Sequence, residues 1–288
     1  MKLNKNSISI VIPSIHPLTW KKIIENYKSK NIFVEIIFVG PDCCNFPLPE
    51  NVKYIKTDFK VTQCLEIGLR ASSSYYVLQS GDDCLIKGSN DPFADMVNAA
   101  NLHPNNLICI KYAVNGNLLS RNEINLVSNQ PKTLIPINAI LSKKIIDEVG
   151  GYNANYIASF SDIDLFLRIK NAGYKYRWLD IYMDEDRPDN SSLGQLSYRY
   201  LGHDIKYLKY NWVQYDFDTK KYTLRNQSLE NFKPFVQDAL LSKEQGKGTH
   251  KIFKYKLFVT LMKYKIFRYA VLILYKIYRK YILKSKFY

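Results

Sequence analysis

The stretch Tyr75-Tyr-Val-Leu-Gln-Ser-Gly-Asp-Asp83 decides the fold. An apolar run of about five residues, Tyr75 to Gln79, has the length and β-propensity of a buried strand, and Ser80-Gly81-Asp82-Asp83 stops it abruptly with turn-forming residues. Upstream the same pattern repeats. Ser7-Ile-Ser-Ile-Val-Ile-Pro13 and Phe33-Val-Glu-Ile-Ile-Phe-Val39 read as strands, the second closed by Gly40-Pro41, and Val52 to Ile55 as a shorter one. Between them lie helical segments: Leu18 to about Lys28, carrying Trp20, Ile23, Ile24 and Tyr27 at helical spacing, and Val61 to Ala71. Strands that look buried on both faces, alternating with helices, indicate βαβ units on a mostly parallel sheet flanked by helices, an α/β fold.

Downstream, Asp91 to Asn101 predicts a helix, Asn106 to Tyr112 a strand, Leu134 to Leu141 a strand, and Ser142 to Val149 a helix stopped by Gly150-Gly151. Asp162 to Ala172 predicts a helix ended by Gly173, with Tyr174 to Tyr182 returning as a strand, and Ser197 to Ser242 mixes helix with a hairpin. Gln245-Gly-Lys-Gly-Thr249 reads as a hinge. The division is 1–195 for an α/β body, 196–245 for a helical and hairpin extension, and 246–288 for a tail.

Composition supports a folded chain of 288 residues with 47% hydrophobic and 23% charged residues, outside the range of disordered or collagenous sequence. The charge is unusual. There are 41 Lys and Arg against 26 Asp and Glu, a formal net charge of +15. Residues 251–288 hold eleven basic side chains and no acidic one, so removing them takes the net charge from +15 to +4. That tail has neither Gly nor Pro, and Leu257, Leu261, Tyr264, Phe267, Val271, Leu274, Tyr278 and Ile282 recur every three or four residues. A basic amphipathic helix of this kind suits an anionic membrane surface, with aromatics at headgroup depth; the same pattern also suits packing on a protein. A nucleic-acid partner fits poorly, because the body carries only the remaining +4 and shows no nucleic-acid-binding signature.

Five cysteines without CxxC spacing argue against a disulfide framework or a zinc site. The N-terminal apolar run, Ile8 to Ile12, is too short for a signal peptide, and the longest uncharged tail run, Tyr269 to Tyr275, is too short to span a bilayer. The expectation is a cytoplasmic protein, peripheral on the inner face of the cytoplasmic membrane.

Three features could carry chemistry. Asp82 and Asp83 follow a strand at the end where open α/β sheets bind ligands, and could hold Mg²⁺ or Mn²⁺ with a substrate diphosphate; Ser-Gly-Asp-Asp is equally ordinary turn chemistry. Ser161-Asp162-Ile163-Asp164 opens a helix, where acids suit the dipole and Ser161 with Asp164 resembles a capping arrangement; one of the two acids could instead be a general base. His203, in Gly202-His203-Asp204, could ligate a metal or simply be exposed.

Taken in order, Ser9-Ile-Val-Ile-Pro13, Glu35-Ile-Ile-Phe-Val39, Cys64-Leu-Glu-Ile-Gly-Leu-Arg-Ala71, Tyr76-Val-Leu-Gln-Ser-Gly-Asp-Asp83, Val149-Gly-Gly-Tyr152 and Ser161-Asp-Ile-Asp-Leu-Phe-Leu-Arg168 with Ala172-Gly-Tyr174 resemble the family 2 glycosyltransferases of GT-A fold that build bacterial surface polysaccharides. The resemblance covers about residues 7 to 182. It implies an inverting hexosyl transfer from a nucleotide-diphosphate sugar, a UDP-sugar first, to a hydroxyl of a glycan or lipid-linked glycan. It implies Pro13 and Ser14 beside the nucleotide base, Asp42 at the base or ribose, Asp82 as metal ligand with Asp83 in support, His203 completing the metal shell and Asp162 as catalytic base. The chain departs from the family where Ser80 and Ser161 replace acids and where Leu65-Glu66 replaces a usual Arg-Asn pair, whose contact Lys60 could supply. A GT-A-like fold that binds nucleotide sugars without turnover is the alternative.

Overall fold

The computed structural model describes residues 5–119, 135–186, 196–216 and 221–224. In chain order these form β1 (Ser7–Pro13), a 3-10 turn at Pro17–Thr19, α1 (Trp20–Asn26), β2 (Phe33–Gly40), β3 (Val52–Lys56), α2 (Val61–Ala71), β4 (Tyr76–Gln79), β5 (Cys84–Lys87), α3 (Pro92–Leu102), β6 (Asn106–Val114), β7 (Asn117–Leu118), β8 (Asn138–Ser142), α4 (Lys143–Val149), α5 (Ser161–Asn171), β9 (Lys175–Glu185), α6 (Leu196–Trp212), β10 (Val213–Asp216) and β11 (Lys221–Leu224). The proposed tail, 246–288, lies outside the described residues.

One sheet runs in the order β3-β2-β1-β4-β8-β6-β9-β5, with β7 alongside β6; β10 and β11 form a separate antiparallel ribbon. The first half is parallel, as βαβ patterning demands: β2 pairs β3, and β1 pairs both β2 and β4. The second half departs from a mostly parallel sheet. β8 lies antiparallel between β4 and β6, and β5 pairs antiparallel with the far end of β9, while β6 and β9 run parallel. β6 turns into β7 across Asn115-Gly116, at φ 51° and 78°, a two-residue hairpin that suits Asn-Gly because both positions need positive φ. The sheet is therefore mixed.

Both faces are covered. Along β1, Ile8, Ile10 and Ile12 enter one core with Trp20, Phe38 and Phe93; Val11 enters the other with Val77, Leu141, Ile145 and Phe166. Trp20 stacks flat on Phe38, ring centres 4.0 Å apart, anchoring α1 over β2. Asp91 accepts the Ala94 amide at the start of α3, and Ser142 Oγ that of Ile145 at the start of α4. α5 differs. Its cap is Phe160, left-handed at φ 63° with no side-chain cap, while Ser161 lies inside the first turn and accepts a hydrogen bond from Thr62 Oγ1 at 3.1 Å. The expected Ser161–Asp164 capping arrangement is thus absent, because Asp164 turns inward to Arg168.

Candidate functional site

The carboxyl ends of β1 and β4 meet the starts of α2 and α5 around a cavity of about 530 Å³, lined by Pro13, Gln79, Asp83, Tyr112, Phe160 and Asp162 among others. This is where an open α/β sheet presents a ligand site.

Pro13, the last residue of β1, lies on the cavity wall, but Ser14 is buried and committed elsewhere. Its amide donates to Val39 O at 2.9 Å, its hydroxyl donates to Asp82 Oδ2 at 2.9 Å, and it accepts the Trp20 indole N–H at 2.7 Å. Gly40 makes this approach possible, since a Cβ there would stand 1.8 Å from Ser14 O.

Of the two neighbouring aspartates, Asp83 lines the cavity and Asp82 does not. Asp82 Oδ2 also accepts the amides of Ile15 and His16 at 2.9 and 2.8 Å, and His16 Nδ1 lies 3.4 Å from its other oxygen. It is a clasp for the loop after β1. Asp83 is held above the usual carboxylate range, first by burial and then by the negative charges of Glu185 and Asp82, against a thiol hydrogen bond from Cys84 at 3.3 Å. Tyr112 donates to Glu185 Oε2 at 2.8 Å, placing a second acid beside Asp83.

Asp162 lies in the first turn of α5, partly buried, and loss of water raises its pKa to about 6 even though the Ile163 amide donates to its Oδ1 at 2.9 Å. Asp164 has a structural part: buried, it pairs with Arg168 Nε at 3.0 Å and accepts Trp212 Nε1 at 2.9 Å, while Arg168 also donates to Val149 O and, at 2.7 Å, to Gly151 O. The two acids of Ser161-Asp-Ile-Asp164 thus face different ways, as residues two apart on a helix must.

The remaining expected residues stand apart from the cavity lining. Asp42 is exposed after β2, and Lys60, before α2, uses its amide to donate to Gln63 Oε1 at 3.2 Å. Glu66, at the departure from the family pattern, is fully buried; Arg70 donates to it at 2.6 Å and the Tyr152 amide at 2.7 Å, and a Cβ at Gly151 would stand 2.2 Å from its carboxylate. Glu66 therefore ties α2 to the Gly151-Tyr152 turn. His203 Nδ1 lies 2.8 Å from Asp204 Oδ1.

Asp82 and His203, expected to share a metal, are absent from the cavity lining: Asp82 Oδ2 accepts three donors of the loop after β1, and His203 Nδ1 faces Asp204. Among the described residues, no group of three or more His, Cys, Asp or Glu side chains could hold a metal ion. The carboxylates that face the cavity are Asp83 and Asp162, oxygen donors of the kind that Mg²⁺ and Mn²⁺ take in part, leaving other positions to a substrate.

Three features escaped the sequence reading. The cavity floor is an amide pair: Tyr152 donates to Gln79 Oε1, and Gln79 Nε2 donates to Ile137 O at 3.3 Å and sits 3.5 Å from Asn138 Oδ1. Tyr112 reaches the cavity from β6. Asp204, the neighbour of His203, holds the loop before α5.

No family model matches the chain, and no curated protein matches it. Among solved structures it is similar to the crystal structure of S. aureus TarS 1–349, with 14% sequence identity and a TM-score of 0.46 over 61% of this chain. The likeness covers 60% of the TarS chain.

Proposed function

We propose that this protein is a glycosyltransferase that moves a sugar from a nucleotide-diphosphate donor, a UDP-sugar first, to an acceptor hydroxyl with inversion. The observation that carries the reading is that Asp83 and Asp162, one from the end of β4 and one from the start of α5, line the same cavity at the carboxyl edge of the sheet. The family resemblance of residues 7 to 182 agrees with it.

In this reading the acceptor hydroxyl attacks the anomeric carbon, the bond to the donor diphosphate breaks, and Asp162 takes the hydroxyl proton. A base with a pKa of about 6 is ionised at neutral pH yet binds a proton more readily than an ordinary carboxylate. Attack from the face opposite the departing diphosphate inverts the anomeric carbon. Asp83 would hold a divalent ion on the diphosphate, which supplies neutralisation of the charge that builds on the leaving group. Gln79, Asn138, Tyr112 and Phe160 line the cavity where a neutral sugar ring would sit.

The test is release of UDP from a panel of UDP-sugars by the full-length protein with Mn²⁺, alongside Asp162→Asn. Release by the wild type that the variant abolishes is expected; an inactive wild type across UDP- and GDP-sugars, or a variant with wild-type turnover, would overturn the reading. Residues 251–288 are proposed to bring the enzyme to an anionic lipid surface carrying a lipid-linked glycan. Flotation with phosphatidylglycerol vesicles, lost on removing 251–288, is expected; equal flotation without them would refute this.

A further inference from the structure

The loop that leads into α5 is fastened from two sides. Asp204 of α6 is completely buried, and its carboxylate accepts three consecutive backbone amides: Ile157 at 3.1 Å, Ala158 at 2.9 Å and Ser159 at 2.8 Å. His203 Nδ1 lies 2.8 Å from the same carboxylate. From the other side, the Thr62 amide of α2 donates to Ile157 O at 3.2 Å and its hydroxyl to Ser161 Oγ at 3.1 Å. The chain then passes through Phe160 in the left-handed region, φ 63°, and reaches Asp162 two residues later.

A large aromatic residue in that region is strained and persists only where its surroundings over-determine it. Three amides converging on one buried carboxylate provide that determination, because each N–H to a charged acceptor is a strong hydrogen bond and loss of the carboxylate would orphan all three. Ala158, Ser159, Phe160 and Asp162 all line the cavity, so whatever fixes the loop fixes the wall on which Asp162 sits.

We infer that Asp204, assisted by Thr62, is a positioning residue that sets the place of the Asp162 carboxylate in the cavity. The inference rests on the reading of Asp162 as base. It also gives α6 a part in the chemistry.

The test separates rate from binding. Full-length Asp204→Asn offers a single acceptor oxygen and adds an N–H₂ facing amide donors, so the loop should shift by a fraction of an ångström or more. Turnover per bound donor should fall about 100-fold, the loss typical of a catalytic group displaced by about 1 Å. The number of sites that bind UDP with Mn²⁺, and their affinity by calorimetry, should stay within about threefold of wild type. A residue that only holds the fold together would instead lower the fraction of binding sites in step with the rate, and that result overturns the inference. If Asp204→Asn does not fold, Thr62→Val, which keeps the side-chain shape and releases Ser161, takes over: about a fivefold fall in turnover at unchanged UDP binding is expected, and unchanged turnover overturns the inference. A wild type that releases no UDP from any donor brings down the reading of the site and this inference with it. An active wild type, inactive Asp162→Asn and fully active Asp204→Asn bring down this inference alone.

Discussion

Replacing Asp162 with Asn should destroy transfer, because an amide cannot take the acceptor proton, and stabilise the protein, because no buried charge remains. Burial raises this carboxyl from the ordinary Asp value of 3.8 to about 6. Below about pH 4 the group is protonated whether the chain is folded or not. Between about pH 4 and pH 6 the folded state keeps a proton that the unfolded chain has released, so the contribution of this group to stability falls as pH rises through that window, and above pH 6 the full penalty applies. The penalty is about 3 kcal/mol at pH 7. Asn carries no charge to desolvate and retains an oxygen for the Ile163 amide, so Asp162→Asn should gain up to about 3 kcal/mol at pH 7, a rise in Tm on the order of 5–10 °C. At pH 4 the gain should be close to zero. In the wild type, a base of this pKa is about nine-tenths ionised at pH 7 and one-tenth at pH 5, so turnover should drop about tenfold between them, whereas an ordinary carboxylate would keep almost all of its activity. Urea unfolding of both proteins at pH 7 and pH 4, with a pH–rate profile of the wild type, measures all of this. An Asn variant no more stable than wild type at pH 7, or equally stabilised at both pH values, would refute the reasoning.

Other substitutions separate scaffold from site. Asp83→Asn should raise the Mn²⁺ concentration that half-activates UDP-sugar turnover by about 10- to 100-fold, while Asp82→Asn should leave that midpoint in place and lower Tm, because its Oδ2 holds Ser14, Ile15 and His16; a Mn²⁺ titration of each decides. Gly40→Ala drives a methyl into the Ser14 carbonyl and should cost about 3 kcal/mol or more, read by urea unfolding. Arg168→Met strands the buried Asp164 carboxylate and two carbonyl groups, for a loss of about 3–5 kcal/mol in the same assay.

The parallel half of the sheet was legible because its strands are buried on both faces and punctuated by helices, so β1 and α2 fall where hydrophobic spacing places them. β5 was missed because four residues directly after a turn carry no period of their own; only pairing with β9 makes Cys84–Lys87 a strand. Asn115-Gly116 carries a hairpin signal in the sequence itself, and β6 turns into β7 there. In the site, the sequence pointed to Asp82, with Asp83 in support, and to Asp162 as strand-end and helix-start acids. It could not separate Asp82 from Asp83, since adjacent residues differ only in which way the backbone turns them, nor show that His203 Nδ1 faces Asp204.

Composition, charge and hydrophobic period by themselves determined an α/β body, a basic segment set apart from a nearly balanced chain, and a short set of acids at strand and helix ends. Those are local properties, readable over windows of ten to forty residues. Which acid faces the cavity, which one fastens a loop, and which distant residue holds Phe160 and Asp162 in place were decided by tertiary structure. They depend on contacts between residues 40 to 70 positions apart, such as Ser14 with Asp82 and Ile157 with Asp204, and on burial, which turns an ordinary carboxylate into one with a pKa of about 6.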